Sequence, residues 1–126
     1  MHVSPDAATV RSRALELTVD TTQIGTATRI RLGGEMDLAT SGLVHDAVIA
    51  ALASDSVRDV TLDVTDLTFI DSTGMGTLVA CQRAVAVRRG ALRLENLSSV
   101  VRRQLFAAGL LGLLGAGAED QIAPSN

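Results

Sequence analysis

The chain has no lysine, no tryptophan and no tyrosine, a single cysteine at Cys81, two prolines, and only Phe69 and Phe106 as aromatic side chains. One cysteine excludes both an intramolecular disulfide and a cysteine-based zinc site, and a free thiol suits a reducing, cytoplasmic setting. Two aromatics leave no stacking platform for bases or sugars, so the interior must be built from Leu, Val, Ile and Ala. All 11 basic residues are arginines, scattered along a 126-residue chain of formal charge −3, which removes the electrostatic footprint of a nucleic-acid binder. The opening Met1-His2-Val3-Ser4-Pro5-Asp6 has neither the basic cap nor the apolar run of a signal peptide. The longest uncharged apolar stretch, residues 105–118, falls short of the roughly 20 residues that span a bilayer. It is also broken by four glycines, so membrane insertion is not expected.

What is present fits one domain with one core. Four short segments alternate apolar and polar residues: Leu15, Leu17 and Val19; Ile30 and Leu32; Val60, Leu62 and Val64; Leu92 and Leu94. Strands covered on both faces read as continuous apolar runs, so this alternation predicts a sheet with helices on one face and water on the other. Asp63, Arg29, Arg31 and Arg93 then fall on the open face. Helical spacing links Leu43, Val44, Ala47, Val48, Ala51 and Leu52, and again Met75, Leu78, Val79, Val85 and Ala86. A third helix starts at Ser98 or Ser99, buries Val101, Leu105 and Ala108, exposes Arg102 and Arg103, and stops at Gly109. A hairpin around Thr21-Thr22-Gln23-Ile24-Gly25 joins the first two strands, and helical crossovers join the later ones. The expected fold is α/β, a mixed sheet of four to five strands with helices packed on one face. Whether residues 110–115 add the last strand or a helical turn stays open. Residues 1–13 and 118–126 are polar and unpatterned and are expected to be disordered ends of a domain spanning 14–117.

Chemistry concentrates in Phe69-Ile70-Asp71-Ser72-Thr73-Gly74-Met75-Gly76, where a strand passes through a turn into a helix. Glycine near a helix start costs about 1 kcal/mol against alanine and removes bulk where something must come close. On a purely architectural reading, Asp71, Ser72 or Thr73 caps the helix and the glycines ease the turn. On a functional one, a serine at a helix N-terminus sits among unpaired N–H groups at the positive end of the dipole, a place that tolerates an added phosphate. About −1.5 to −2 charges beside Asp71 would then act on binding, through repulsion and desolvation at a docking surface.

The run Leu67-Thr68-Phe69-Ile70-Asp71-Ser72-Thr73-Gly74-Met75-Gly76 resembles the signature of STAS-domain anti-sigma factor antagonists. The segment Gly34-Glu35-Met36-Asp37-Leu38-Ala39-Thr40 is similar to that family's turn ahead of its first helix, and Gly109-Leu110 adds to the likeness, which covers about residues 14–115. The resemblance implies a STAS-like sheet with helices on one side. It also implies a partner-switching cycle in which the unmodified protein binds an anti-sigma factor serine kinase and frees a sigma factor. Phosphorylation of Ser72 releases the kinase, and a PP2C-type phosphatase resets the switch. No cofactor, metal or catalytic residue is implied, and the partner-binding set is Glu35, Asp37, Asp71, Ser72, Thr73, Gly74, Met75 and Gly76. Thr73 stands where serine is frequent and supplies a second candidate hydroxyl. Met75 replaces a commoner leucine, a swap that nearly conserves volume.

Other chemistries fit less well. A serine hydrolase needs a base for Ser72, and the only histidines are His2 and His45, the latter expected to face solvent. Asp63, Asp66 and Asp71 have no calcium-loop spacing, since Asp63 belongs to a strand face and Asp66 to a turn. Gly74 and Gly76 make no phosphate loop, which needs a lysine. Cys81 reads as filler at the edge of the second helix's apolar stripe. The competing class is a STAS domain that serves as a scaffold subunit of a stress-sensing or lipid-transport assembly, with Ser72 never modified.

Overall fold

The computed structural model describes residues 7–12 and 16–112. Strands β1 (Ala7–Ser12), β2 (Leu17–Ile24) and β3 (Ala27–Met36) are followed by α1 (Ser41–Leu52), β4 (Asp59–Ile70), α2 (Ser72–Val87), β5 (Leu92–Glu95) and α3 (Ser99–Ala107). They form one five-stranded sheet in the order β1-β2-β3-β4-β5. The first two pairings are antiparallel and the last two parallel. Both parallel connections step the same way across the sheet, so right-handed crossovers place α1 and α2 on one face. There they pack on each other and on β2, β3, β4 and β5. Beneath them lies the predicted aliphatic core, with Ile30, Leu32, Val60, Leu62, Val44, Val48, Leu78 and Val85 all buried.

Several expectations change. The segment expected to be disordered up to residue 13 supplies β1, whose pairing runs from Ala7 opposite Thr22 to Ser12 opposite Leu17. An edge strand needs only backbone hydrogen bonds along β2, and these leave no apolar alternation to read. Residues 1–6 and 113–126, with the tail and domain end predicted there, and Leu15 lie outside the described residues. The hairpin turns at Gly25-Thr26, where Gly25 has φ +62° and Ile24 pairs with Ala27. The strands thus extend through residues assigned to the turn. Asp66 belongs to β4 rather than to a turn, because β4 continues for 12 residues through two irregularities of register. Ala86 and Ala108 are exposed, so the apolar stripes of α2 and α3 are narrower than expected. Cys81, placed at a stripe's edge, sits inside the core, and burial pushes its thiol up to about 12. His45 is half-buried. Ser98 caps α3, its Oγ accepting from Val101 N at 3.2 Å, and Gly109 follows that helix with φ +73°. Leu110, Leu111 and Gly112 add no strand.

Candidate functional site

The site is built at the carboxyl ends of the parallel strands β3 and β4. Opposite Arg31 stands Asp63, opposite Gly33 stands Asp66, and opposite Glu35 stands Phe69. β4 therefore carries one extra residue at each of two bulges. Such bulges bend a strand and re-aim its side chains. Gly33 and Gly34 let this end of β3 lie close against the start of β2: a Cβ on Gly33 would lie 2.9 Å from Thr18 Oγ1, and one on Gly34, at φ +104°, would lie 2.1 Å from Glu16 O. The second bulge leaves Thr68 as the extra residue, its hydroxyl donating to Gly34 O at 3.1 Å. Its effect is that Thr68 and Phe69 both face outward while Leu67 and Ile70 face the core.

One residue on, the chain enters α2. Asp71 N donates to Met36 O at 3.1 Å, tying the helix start to the end of β3. Asp71 has extended backbone dihedrals, and its Oδ1 accepts from Gly74 N at 2.8 Å. The capping role left open among three residues thus falls to Asp71. Ser72 and Thr73 occupy the first two helical positions, both exposed, and neither hydroxyl makes a hydrogen bond among the described residues. Their backbone N–H groups belong to the first turn, which has no intrahelical acceptors.

The glycines divide. Gly74 is buried, and a Cβ there would lie 2.7 Å from Met36 O and 2.8 Å from Ile70 Cγ1. The clearance it provides is internal, between α2 and β3. Gly76 is exposed with nothing near its Cβ position, and Met75 is partly buried against the core.

Beside this helix start lies the 37–40 turn. Asp37 Oδ1 accepts from Ala39 N at 2.9 Å and Thr40 N at 3.1 Å, and Asp37 N donates to Thr40 Oγ1 at 2.8 Å. The Thr40 hydroxyl donates to Glu35 O at 2.8 Å, and Ser41 Oγ donates to Asp37 O. One oxygen of Asp37 is therefore committed to shaping the turn, whereas the Glu35 side chain is exposed. The structure brings Glu35, Asp37, Asp71, Ser72 and Thr73 to one edge of the domain.

On the open sheet face the predicted charges are present but paired. Arg29 reaches Asp63 and Glu95, each at 2.9 Å, and Arg31 reaches Asp66 at 2.9 Å. Asp63 is more enclosed than an open-face residue is expected to be, with a side chain 10% exposed. Burial alone would raise its pKa. Donation from Thr65, Asn96 and Arg29 overcomes that and holds the carboxyl well below the usual range. Among the described residues, no group of three or more His, Cys, Asp or Glu side chains is arranged to hold a metal, and no helix is long and apolar enough to cross a membrane.

This mixed sheet with one helical layer, and a capped helix entering at the end of its central parallel pair, agrees with a family match. Residues 18–124 match the model of the STAS domain. The chain belongs to the STAS-domain family. A Bacillus subtilis (strain 168) protein named anti-sigma-B factor antagonist is 24% identical over 107 residues, covering 85% of this chain and 96% of the relative. An anti-sigma factor antagonist from Mycobacterium paratuberculosis superposes with a TM-score of 0.73 at 19% identity, covering 92% of this chain and 100% of the other. The unphosphorylated form of the anti-sigma factor antagonist SpoIIAA superposes with a TM-score of 0.68 at 23% identity, covering 82% and 90%.

Sequence reasoning passed over two residues of this STAS domain's edge. Leu38 is 79% exposed at the tip of the 37–40 turn, and Phe69 is 40% exposed. A signal for Leu38 existed: a large apolar residue inside Asp37-Leu38-Ala39-Thr40, where the polar residues build the turn and leave it no core to enter. Phe69 carried a signal as well: continuing the alternation of Val60, Leu62 and Val64 puts residue 69 outward, and the two bulges together restore that phase.

Proposed function

We propose that this protein is an anti-sigma factor antagonist. Its unmodified form binds an anti-sigma factor serine kinase and thereby releases a sigma factor, and phosphorylation of Ser72 switches that binding off until a PP2C-type phosphatase restores the hydroxyl. The observation that carries this reading is the separation of duties in the first turn of α2: Asp71 alone caps the helix through Gly74 N, which leaves the exposed Ser72 hydroxyl with no structural task. Ser72 is also not set up to attack a substrate. Among the described residues no imidazole is bonded to it, and Asp71 Oδ1 is engaged in the cap. Such a hydroxyl is acted upon.

The charge environment explains why modification would act on binding more than on folding. A phosphate on Ser72 projects from a helix N-terminus, where the dipole and free N–H groups favour an anion. The edge around it already carries Asp71, Asp37 and Glu35. A partner matched to that charge meets about −1.5 to −2 more on a surface where water is being excluded. Two unit charges 6 Å apart at an effective dielectric of 20 interact by about 3 kcal/mol, enough to weaken a complex about a hundredfold.

The test uses the full chain, ATP and a panel of purified anti-sigma serine kinases, with the phosphosite mapped by mass spectrometry. Phosphate should appear on Ser72 and not on Thr73. Ser72→Ala should retain kinase binding and Ser72→Asp should lose it. Equal binding by both variants, or no phosphate with any kinase, would overturn the reading in favour of a scaffold subunit.

A further inference from the structure

We propose that Leu38, supported by Phe69, is the apolar anchor that seats this protein on its partner, in a pocket walled by aliphatic side chains and rimmed by arginine or lysine. The proposal rests on the docking role argued for the Ser72 edge and names what gives that edge its affinity.

Three observations converge. The first is rigidity. Leu38 is 79% exposed, yet the turn that holds it is fixed by hydrogen bonds from Ala39 N, Thr40 N, the Thr40 hydroxyl and the Ser41 hydroxyl. An apolar side chain on a preorganised turn loses little backbone entropy on docking. The second is place. Met36 pairs with Ile70, so Leu38, two residues beyond one, and Phe69, one residue before the other, stand on neighbouring strand ends beside Ser72. Each of the two β3–β4 bulges shifts the alternation by one residue, and together they leave Phe69 facing outward. Only Phe69 and Phe106 are aromatic, and neither is in the core.

The third is charge. Residues 33–42 and 67–76 contain Glu35, Asp37 and Asp71 and no arginine, histidine or lysine. A second copy of this chain docking by the same face would set acidic rim against acidic rim, which a two-fold interface repeats twice. A partner with a basic rim around an apolar pocket has the matching surface. A central apolar side chain ringed by polar contacts is also how interface energy is usually concentrated. Leu38 then supplies affinity and partner choice, and Ser72 supplies the switch.

The experiment measures, by calorimetry, the affinity of wild type, Leu38→Ser, Leu38→Met and Ile24→Ser for the anti-sigma serine kinase that binds the wild type. Ile24 is 69% exposed at the hairpin on the opposite end of the sheet. Leu38→Ser should weaken binding about tenfold or more, Leu38→Met should stay within about threefold, and Ile24→Ser within about twofold. All melting temperatures should match the wild type. Binding of Leu38→Ser within twofold of wild type, with Ser72→Asp still abolishing it, overturns the anchor and leaves the proposed function standing. A wild type that binds no kinase overturns both. Sedimentation showing a wild-type dimer that Leu38→Ser dissociates overturns the choice of partner in favour of a second copy.

Discussion

Replacing Gly74 and Gly76 by alanine, one at a time, makes the same chemical change at two positions of one helix, and the structure assigns the two variants opposite signs. At Gly76 an added Cβ meets nothing within 4 Å. The substitution keeps only the helix-propensity gain and the reduced entropy of the unfolded chain, about 0.5–1 kcal/mol of stabilisation. At Gly74 the same gain is opposed by a Cβ placed 2.7 Å from Met36 O and 2.8 Å from Ile70 Cγ1. The first of these atoms is backbone in a paired strand and cannot swing aside, and Ile70 is fully buried. Overpacking of this kind costs about 1–3 kcal/mol, and contact with fixed backbone puts Gly74 at the upper end of that range. The net effect expected for Gly74→Ala is a loss of about 1–2 kcal/mol.

An unfolding entropy of about 2.1 cal/mol/K per residue over some 100 ordered residues converts 1 kcal/mol into about 5 °C of melting temperature. Circular dichroism melts should therefore place Gly76→Ala about 3–5 °C above the wild type and Gly74→Ala about 5–10 °C below it. Urea midpoints at unchanged slope should show the same order. A Gly74→Ala protein that melts at or above the wild type would refute the claim that this glycine is required by the approach of α2 to β3. A binding measurement then separates the roles, because Gly76 is proposed as clearance for a partner and has nothing within 4 Å of a Cβ inside the domain. Gly76→Ala should weaken kinase binding while raising stability, a combination no purely internal role gives.

Other perturbations address the cap, the open sheet face and the far end of α2. Asp71→Ala removes the acceptor of Gly74 N and should lower stability by about 1 kcal/mol, read as a melting temperature about 5 °C lower, with Asp71→Asn recovering most of it. The depressed pKa of Asp63 means that its ionised form stabilises the fold at and above the pH where unfolded aspartates ionise, about 4, and that this contribution is lost as pH falls through its folded pKa. Asp63→Asn should thus cost about 2 kcal/mol at pH 7 and progressively less as pH drops below 4, which denaturant melts across that range check. Arg88 donates to the carbonyls of Leu52, Ser54 and Val57 at the end of α1. Arg88→Leu should lower the melting temperature by about 10 °C, and Arg88→Lys, with a single cationic head, should restore only part of that.

The alternation of Ile30, Leu32, Val60, Leu62, Leu92 and Leu94 gave the sheet and its one covered face because a half-buried strand has no other way to satisfy both sides. The same logic is blind where burial is not what orders the chain. β1 is held by backbone pairing along an edge, which imposes no apolar alternation on its sequence. The continuation of β4 through Asp66 depends on two bulges, and a bulge breaks the period by which a strand is recognised. Asp63 was legible as an open-face residue but not as a buried one, since its enclosure comes from Arg29 on β3, Asn96 after β5 and its neighbour Thr65. Those partners are distant in sequence except for Thr65.

The Ser72 turn was the most legible part of the molecule, and its two glycines were the least. Sequence alone treats Gly74 and Gly76 alike, two absent side chains near a helix start. Only the path of β3 distinguishes them, by running the Met36 carbonyl under the first and leaving the second open. That difference bears on how the hydroxyl is presented. With Gly74 pressed on Met36 and Asp71 N bonded to the same carbonyl at 3.1 Å, the first turn of α2 is fixed to the sheet, and so is the 37–40 turn that continues from Met36. Ser72 and Leu38 are therefore set relative to each other by one carbonyl oxygen that both elements share. A partner that recognises the apolar side chain finds the hydroxyl at a constant offset. A phosphate placed there has no loop to swing away on, so its charge must be met by the partner or expel it.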